Sequence, residues 1–141
     1  DHTGPGRDRT GAGFAAADLV LTTYGTLRND AGAFAGFRFD TCVLDEAQAA
    51  KNAATETAKA VRVVQADHRL ALSGTPVENH LGELWTLFDF LNPGMLGRAT
   101  AFGSSHGSGS IRNPDPETRE VLARALRPFV LRRTKGQVAK D

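Results

Sequence analysis

An α/β fold built on a parallel sheet is what this 141-residue sequence predicts, and three observations carry the prediction. Five of the six residues from Phe39 to Leu44, all but Asp40, are β-branched, aromatic or otherwise strand-compatible, and two carboxylates, Asp45 and Glu46, follow without a break, the pattern of a parallel strand buried on both faces. A helical stretch and a second short strand, His68 to Leu72, come next, so that strand, helix and strand make a βαβ unit. In open α/β sheets the chemistry gathers beyond the carboxyl ends of such strands. Asp45, Glu46 and the turn Ser73-Gly74-Thr75-Pro76 fall at those ends.

The other elements can be taken in order. Residues 1–17 are rich in Gly, Ala and Arg and predict a loop entering a short helical turn. Leu19 to Thr22 is a further strand candidate, ended by Thr-Thr-Tyr-Gly, and a short helix near Thr26 to Asn29 leads through a Gly/Ala linker to the central strand. From Asn52 to Gln65, Ala54, Ala58, Val61 and either Val64 or Gln65 recur at helical spacing, while Glu56, Lys59 and Arg62 face away. Asn52 is the expected N-cap of that helix.

From Leu81 to Leu91, Leu81, Leu84, Trp85, Leu87, Phe88 and Leu91 trace one broad apolar face, closed by Asn92-Pro93-Gly94. That stripe predicts core packing, for Trp85 as for the rest. Residues 97–114 are rich in Gly, Ser and Asn, which predicts a flexible loop. Asp115-Pro116 then opens a helix through Leu126 that Pro128 ends. The chain closes on an apolar patch followed by a basic one, and no internal repeat is visible.

Composition narrows the classes. A hydrophobic share of 40% and a charged share of 23% are ordinary for a globular domain, and the length suits one domain. No stretch approaches the roughly 18 apolar residues of a membrane span, and the N-terminus lacks the apolar centre of a secretory signal. The expectation is a soluble intracellular protein. Cys42 is the single cysteine and lies within the apolar strand, so it predicts packing and no internal disulfide. His2, His68, His80 and His106 show no metal-ligand spacing with it, and no zinc site is assigned. The net charge of +1 comprises 13 arginines and 4 lysines against 16 acids. Near-neutrality argues against a protein that coats nucleic acid, yet permits local contacts. Arginine suits two-pronged grips on phosphate or carboxylate.

The carboxylates carry the chemistry. A metal-bound phosphate needs one carboxylate to anchor magnesium, often through water, and a second group to orient the attacking water. Asp45 fits the first role and Glu46 the second. Two adjacent acids repel one another, and a nearby cation would account for the pair. Ser73 and Thr75 either sense a γ-phosphate through water or cap their own turn.

The motifs LDEAQ, AKN, LALSGTPVEN, ELWTLFDFLNPG and PFVLRRTK stand in this order, preceded by HTG at His2 to Gly4 and DLVLTTYGTL at Asp18 to Leu27. Together they resemble the first ATPase lobe of the Swi/Snf-type family, helicase-like DNA translocases of superfamily two. The resemblance implies a RecA-like lobe of the P-loop NTPase class, with ATP and Mg2+ as cofactors, and spans nearly the whole chain. It implies that Asp45 binds Mg2+ through water, that Glu46 positions the attacking water, and that Gln48 stands at the nucleotide where the family commonly has His. It makes Ser73, Gly74 and Thr75 the segment coupling hydrolysis to DNA movement. Thr22, Thr23, Lys51, Asn52 and Asn79 would approach the backbone of double-stranded DNA, giving grip without sequence reading. Taken singly, Lys51 and Arg38 also suit a solvated surface. Arg132 and Arg133, in the segment joining the first lobe to the second, suit a brace at the lobe interface or a plain basic surface run. Residues 128–141 would then begin the linker to the second RecA-like lobe, the expected partner within the same protein.

Departures from the pattern matter equally. No G-x-x-x-x-G-K-[ST] loop occurs, so the expectation is an incomplete lobe, a parallel sheet flanked by helices without its phosphate-loop strand. The edge beside the Ser73 strand should then be uncovered. Residues 101–113 also lack the apolar and acidic residues usual for the family. The expected function is accordingly a fragment of an ATP-dependent, double-stranded-DNA-stimulated translocase. The alternative is an inactive remnant or interaction module of the same fold. A receiver domain with Asp45 as phospho-acceptor is opposed by Thr22, Thr23 and Tyr24, where an acidic pair belongs. The location implied is cytoplasmic and nucleoid-associated in a bacterium, nuclear in a eukaryote.

Overall fold

Two seven-residue strands, β1 (Arg38–Leu44) and β2 (Gln65–Ala71), lie at the centre of the computed structural model, which describes residues 1–52, 54–74, 81–96, 116–133 and 135–138. They pair in parallel, in register from Arg38 opposite Gln65 to Leu44 opposite Ala71. Parallel strands need a crossover, and helix α3 (Glu56–Val63) supplies it. The N-cap of α3 is Thr55, whose hydroxyl accepts from the Ala58 N–H at 3.2 Å, and not Asn52 as expected. The Asn52 carboxamide oxygen instead accepts the Ala54 N–H at 3.1 Å, closing a turn one step before the helix begins. Ala58 and Val61 are buried as predicted, Val64 is the buried member of its pair, and Ala54 is exposed.

Alternation along the strands gives the sheet two unequal faces. Cys42, Leu44, Arg69 and Ala71 share the covered face, with Leu44 buried. On the other face Val43 and Leu70 stand opposite one another at 51% and 49% exposure. Burial on both faces, expected for β1, is therefore not met at Val43, although Phe39 packs against the core at the start of the strand. Among the described residues the sheet has two strands. The strand expected at Leu19 to Thr22 is absent. That segment bonds to the N-terminal loop, through the His2 N–H to the Leu21 carbonyl at 2.6 Å and the Thr22 hydroxyl to the His2 carbonyl at 3.0 Å, and packs Val20 against the core. With no neighbour to continue a ladder, Leu19 and Leu21 remain exposed.

Helix α1 (Tyr24–Asn29) begins at Thr23, whose hydroxyl accepts the Thr26 N–H at 3.1 Å. The Gly/Ala linker that follows is in fact a short helix, α2 (Ala31–Ala35). Alanine favours that state, and Phe34 is buried by it. Phe14, Phe34, Phe37 and Phe39 form an aromatic cluster, with ring centroids 4.9 Å apart for Phe14 and Phe34 and 4.7 Å for Phe37 and Phe39. The His2 ring lies edge-on to Phe14 and Phe34, 5.2 Å from each. Its Nε2 is 3.0 Å from Asp30 Oδ2, and Arg7 donates to both oxygens of the same carboxylate, at 2.5 and 3.1 Å. These bonds, that of Arg7 foremost, hold the Asp30 carboxyl below the usual carboxylate range against the opposing effect of desolvation. The N-terminal loop is thus tied into the core by a buried charge network.

Helix α4 (Leu81–Leu91) matches its predicted span. Leu87 and Phe88 are buried, Leu84, Trp85 and Leu91 partly so, and Phe90, outside the predicted stripe, is buried as well. Phe90 lies under Arg69, whose guanidinium is 5.1 Å from the ring centroid. The same guanidinium donates to the Phe90 carbonyl at 2.7 Å and the Val64 carbonyl at 3.1 Å, placing a cation where α3 and α4 end. Burial pushes the Cys42 thiol up, opposed by Arg69, as expected of a packing cysteine. Helix α5 (Pro116–Leu126) also matches its predicted span and leads through a 3-10 turn at Arg127–Phe129 to α6 (Lys135–Val138). Residues 97–114, predicted as a loop, lie outside the described residues. No helix among the described residues is long and apolar enough to cross a membrane.

Candidate functional site

β1 ends at Leu44, and the parallel pairing runs on beyond it. The Leu72 N–H donates to the Leu44 carbonyl at 2.8 Å, and the Ala47 N–H to the Leu72 carbonyl at 2.8 Å. This interleaving sets the Asp45–Glu46 turn beside Ser73, which the sequence separates by more than two dozen residues. Below the turn, residues Ala47–Ala50 form a 3-10 helix. Ala47 and Ala50 are wholly or almost wholly buried, and their small side chains let the turn sit close on the core. The carboxylates themselves are exposed.

Glu46 has φ 47° and ψ 49°, the left-handed conformation, and is the single non-glycine residue with positive φ among those described. A residue bearing a β-carbon adopts it at a cost and concentrates in functional turns. The peptide that joins Asp45 to Glu46 is gripped at both ends. Its N–H donates to Asp45 Oδ1 at 2.9 Å, and its carbonyl accepts from the Tyr24 hydroxyl at 2.8 Å.

From Glu46 a chain of hydrogen bonds runs to the neighbouring strand end. Gln48 Nε2 donates to Glu46 Oε2 at 2.5 Å, and the Ser73 hydroxyl donates to Gln48 Oε1 at 2.8 Å. An ionised carboxylate only accepts, so the amide must turn its NH2 to Glu46 and its oxygen to Ser73. The three residues named from the sequence as water-positioning, nucleotide-contacting and coupling groups are therefore in one bonded line. Asp45 keeps Oδ2 without a hydrogen-bond partner among the described residues, pointing to a carboxylate able to meet a hydrated cation. No group of three or more His, Cys, Asp or Glu suited to a metal occurs among those residues. One carboxylate suits Mg2+, which at nucleotide sites keeps several waters and takes its other ligands from phosphates.

The residues expected at DNA are distributed differently. Thr22 and Thr23 use their hydroxyls inside the chain, on the His2 carbonyl and as the α1 N-cap. Asn52 uses its side chain in the turn before α3. Lys51 is exposed next to the 3-10 helix. Thr75 and Asn79 lie outside the described residues, and Gly74 is exposed with open space around its α-carbon. Arg132 and Arg133 are exposed in a segment without helix or strand. Sequence reasoning missed Tyr24 as a partner of the Asp45 turn, for a phenol 21 positions away carries no spacing signal.

The covered face, the crossover and the carboxylate turn make a βαβ unit with its polar groups at the carboxyl end of parallel strands. Comparison with known proteins gives it a family. The SNF2-related domain model matches residues 7–141, and the chain belongs to that family. It is 44% identical over 138 residues to YwqA of Bacillus subtilis, covering 95% of the chain and 15% of YwqA. It is 37% identical over 135 residues to human TATA-binding protein-associated factor 172, covering 88% of the chain and 7% of that protein. The SWI2/SNF2 ATPase core of Sulfolobus solfataricus in complex with dsDNA superposes with a TM-score of 0.75 at 40% identity, over 85% of the chain and 25% of that core. The fold is thus RecA-like, as expected, and the chain spans a small part of the relatives it matches.

Proposed function

We propose that this chain is the later part of the first ATPase lobe of a DNA-dependent, ATP-driven translocase. The observation that carries the reading is the bonded line Glu46–Gln48–Ser73 across the carboxyl ends of two parallel strands. In this reading Glu46 holds and orients the attacking water, and its carboxylate is aimed by the left-handed turn and by the Gln48 amide. Asp45 offers Oδ2 to a hydrated Mg2+, which when bound supplies charge neutralisation to the phosphates of ATP. Any shift of Ser73 pulls on Gln48 and so on Glu46, which links the water site to the segment containing Gly74 and Thr75.

Double-stranded DNA is the proposed partner, supported by the likeness to a core solved on dsDNA. Lys51, exposed at the end of the 3-10 helix that follows Glu46, is a cation proposed to meet the DNA phosphates. Thr22, Thr23 and Asn52 would act through the backbone they fix, and Asn79 completes the set. A second RecA-like lobe, reached through residues 128–141, is the proposed intramolecular partner, and a nucleoid or nuclear location accompanies a DNA substrate. The phosphate-cradling loop does not occur in these 141 residues, so hydrolysis by this route needs residues outside them.

The test is ATP turnover of the full-length protein, with and without duplex DNA, beside Glu46→Gln. Turnover that rises with DNA and is lost in the variant supports the reading. Equal turnover in all three assays would overturn it.

A further inference from the structure

We infer that Tyr24 is a positioning residue for hydrolysis, acting through the Asp45–Glu46 peptide to hold Glu46 in its left-handed conformation. The inference rests on the role of Glu46 proposed above. The orientation of that one peptide plane sets φ of Glu46, and with it the direction in which the carboxylate leaves the backbone. Left to itself, a glutamate relaxes to right-handed or extended backbone. Two bonds oppose this, one at each end of the peptide unit. The N–H bond to Asp45 Oδ1 is local and would survive many backbone arrangements. The carbonyl bond is not, because its donor is anchored elsewhere in the fold.

Tyr24 is the first residue of α1, directly after the N-cap Thr23, and its ring packs partly buried against the core. α1 packs on α3, so the hydroxyl is presented from a fixed platform. Burial, followed by the nearby Asp45, raises the phenol above its ordinary range, so it remains protonated and able to donate. The DNA-facing segment proposed at Thr22 and Thr23 is thereby one residue from a group that touches the water-positioning turn. A displacement of that segment would reach Glu46 through a single hydrogen bond, independently of the Gln48–Ser73 line.

The experiment is Tyr24→Phe in the full-length protein, with kcat and KM for ATP measured in saturating duplex DNA and melting followed in parallel. The expected result is a fall of about tenfold in kcat, the scale of one hydrogen bond deciding between two backbone states. KM should stay within about twofold, since the triphosphate contacts are untouched. 4-Aminophenylalanine at position 24 restores a donor and should recover most of the loss, whereas O-methyltyrosine, with the oxygen but no proton to give, should not. A purely packing role would be met equally by all three replacements, and kcat equal to wild type in Tyr24→Phe, or no difference between the two tyrosine analogues, would overturn the inference. Glu46→Gln run alongside separates the failures. If it is inactive while Tyr24→Phe turns over normally, only the tyrosine inference falls, whereas an active Glu46→Gln removes both.

Discussion

Two polar clusters in this molecule use similar side chains to opposite ends. His2, Arg7 and Asp30 are drawn together from 28 positions apart, buried among phenylalanines, and bonded to one another. Asp45, Glu46, Gln48 and Ser73 are also linked, yet they sit at the surface with the carboxylate of Asp45 only half engaged. The first cluster needs its bonds because a charge removed from water must be compensated within the protein. The second can leave capacity unfilled because water fills it until a ligand arrives. A saturated buried network marks what holds the chain together, and a part-satisfied exposed one marks where chemistry can enter.

The contrast can be broken experimentally. Its largest predicted consequence is in Glu46→Gln, where ATP turnover of the full-length protein should fall by about two to four orders of magnitude while the melting temperature stays within about 2 °C. A large loss of stability would mean that the exposed cluster is structural after all. Asp30→Ala should do the reverse, lowering the melting temperature by more than about 5 °C by stranding Arg7 and His2 in the core, with turnover per folded molecule retained. Acid should expose the same group. The folded pKa of Asp30 is lowered, so its contribution is complete above the unfolded value near 4 and is lost as pH falls through the folded value. Urea midpoints of Asp30→Asn should therefore decline less steeply than wild type below about pH 4.

Smaller effects sharpen the comparison. Gln48 has no titration near neutrality, so the line from Glu46 to Ser73 keeps the same protons through that range. Gln48→His would put a titrating ring there, and the ratio of variant to wild-type turnover should change a few-fold between about pH 5.5 and 7.5. A constant ratio would show that the line does not bear on turnover. The smallest effect belongs to Arg38 and Asp67, an ion pair across the strand ends that is exposed on both sides. Screening by water leaves such pairs little influence, and Arg38→Ala should move the melting temperature by no more than about 1 °C.

The difference between the clusters also explains what the sequence disclosed. Asp45 and Glu46 are contiguous with the strand that delivers them, so apolar run and acids could be recognised together. The spans of α4 and α5 were legible because Asn92-Pro93-Gly94 and Asp115-Pro116 punctuate them. The His2–Asp30 pairing had no such signal, because a lone histidine in a glycine-rich loop looks solvated until the phenylalanines that surround it are placed. The strand expected at Leu19 to Thr22 failed for a related reason. Its residues suit a strand, but pairing depends on a neighbour that composition does not name. Gln48 was recognised as a site residue, whereas its part in a line to Ser73 came from the register that carries Leu72 past Leu44.

Arg69 has a consequence in time. Its two carbonyl partners are made on opposite sides of it during synthesis. The Val64 carbonyl has already left the peptidyl centre when Arg69 is added, whereas the Phe90 carbonyl follows 21 residues later. At about 5–20 residues per second this is an interval of roughly one to four seconds. Arg69 thus joins a contact five residues behind it to one 21 residues ahead, so the βαβ unit without α4 would keep one of the two carbonyl bonds.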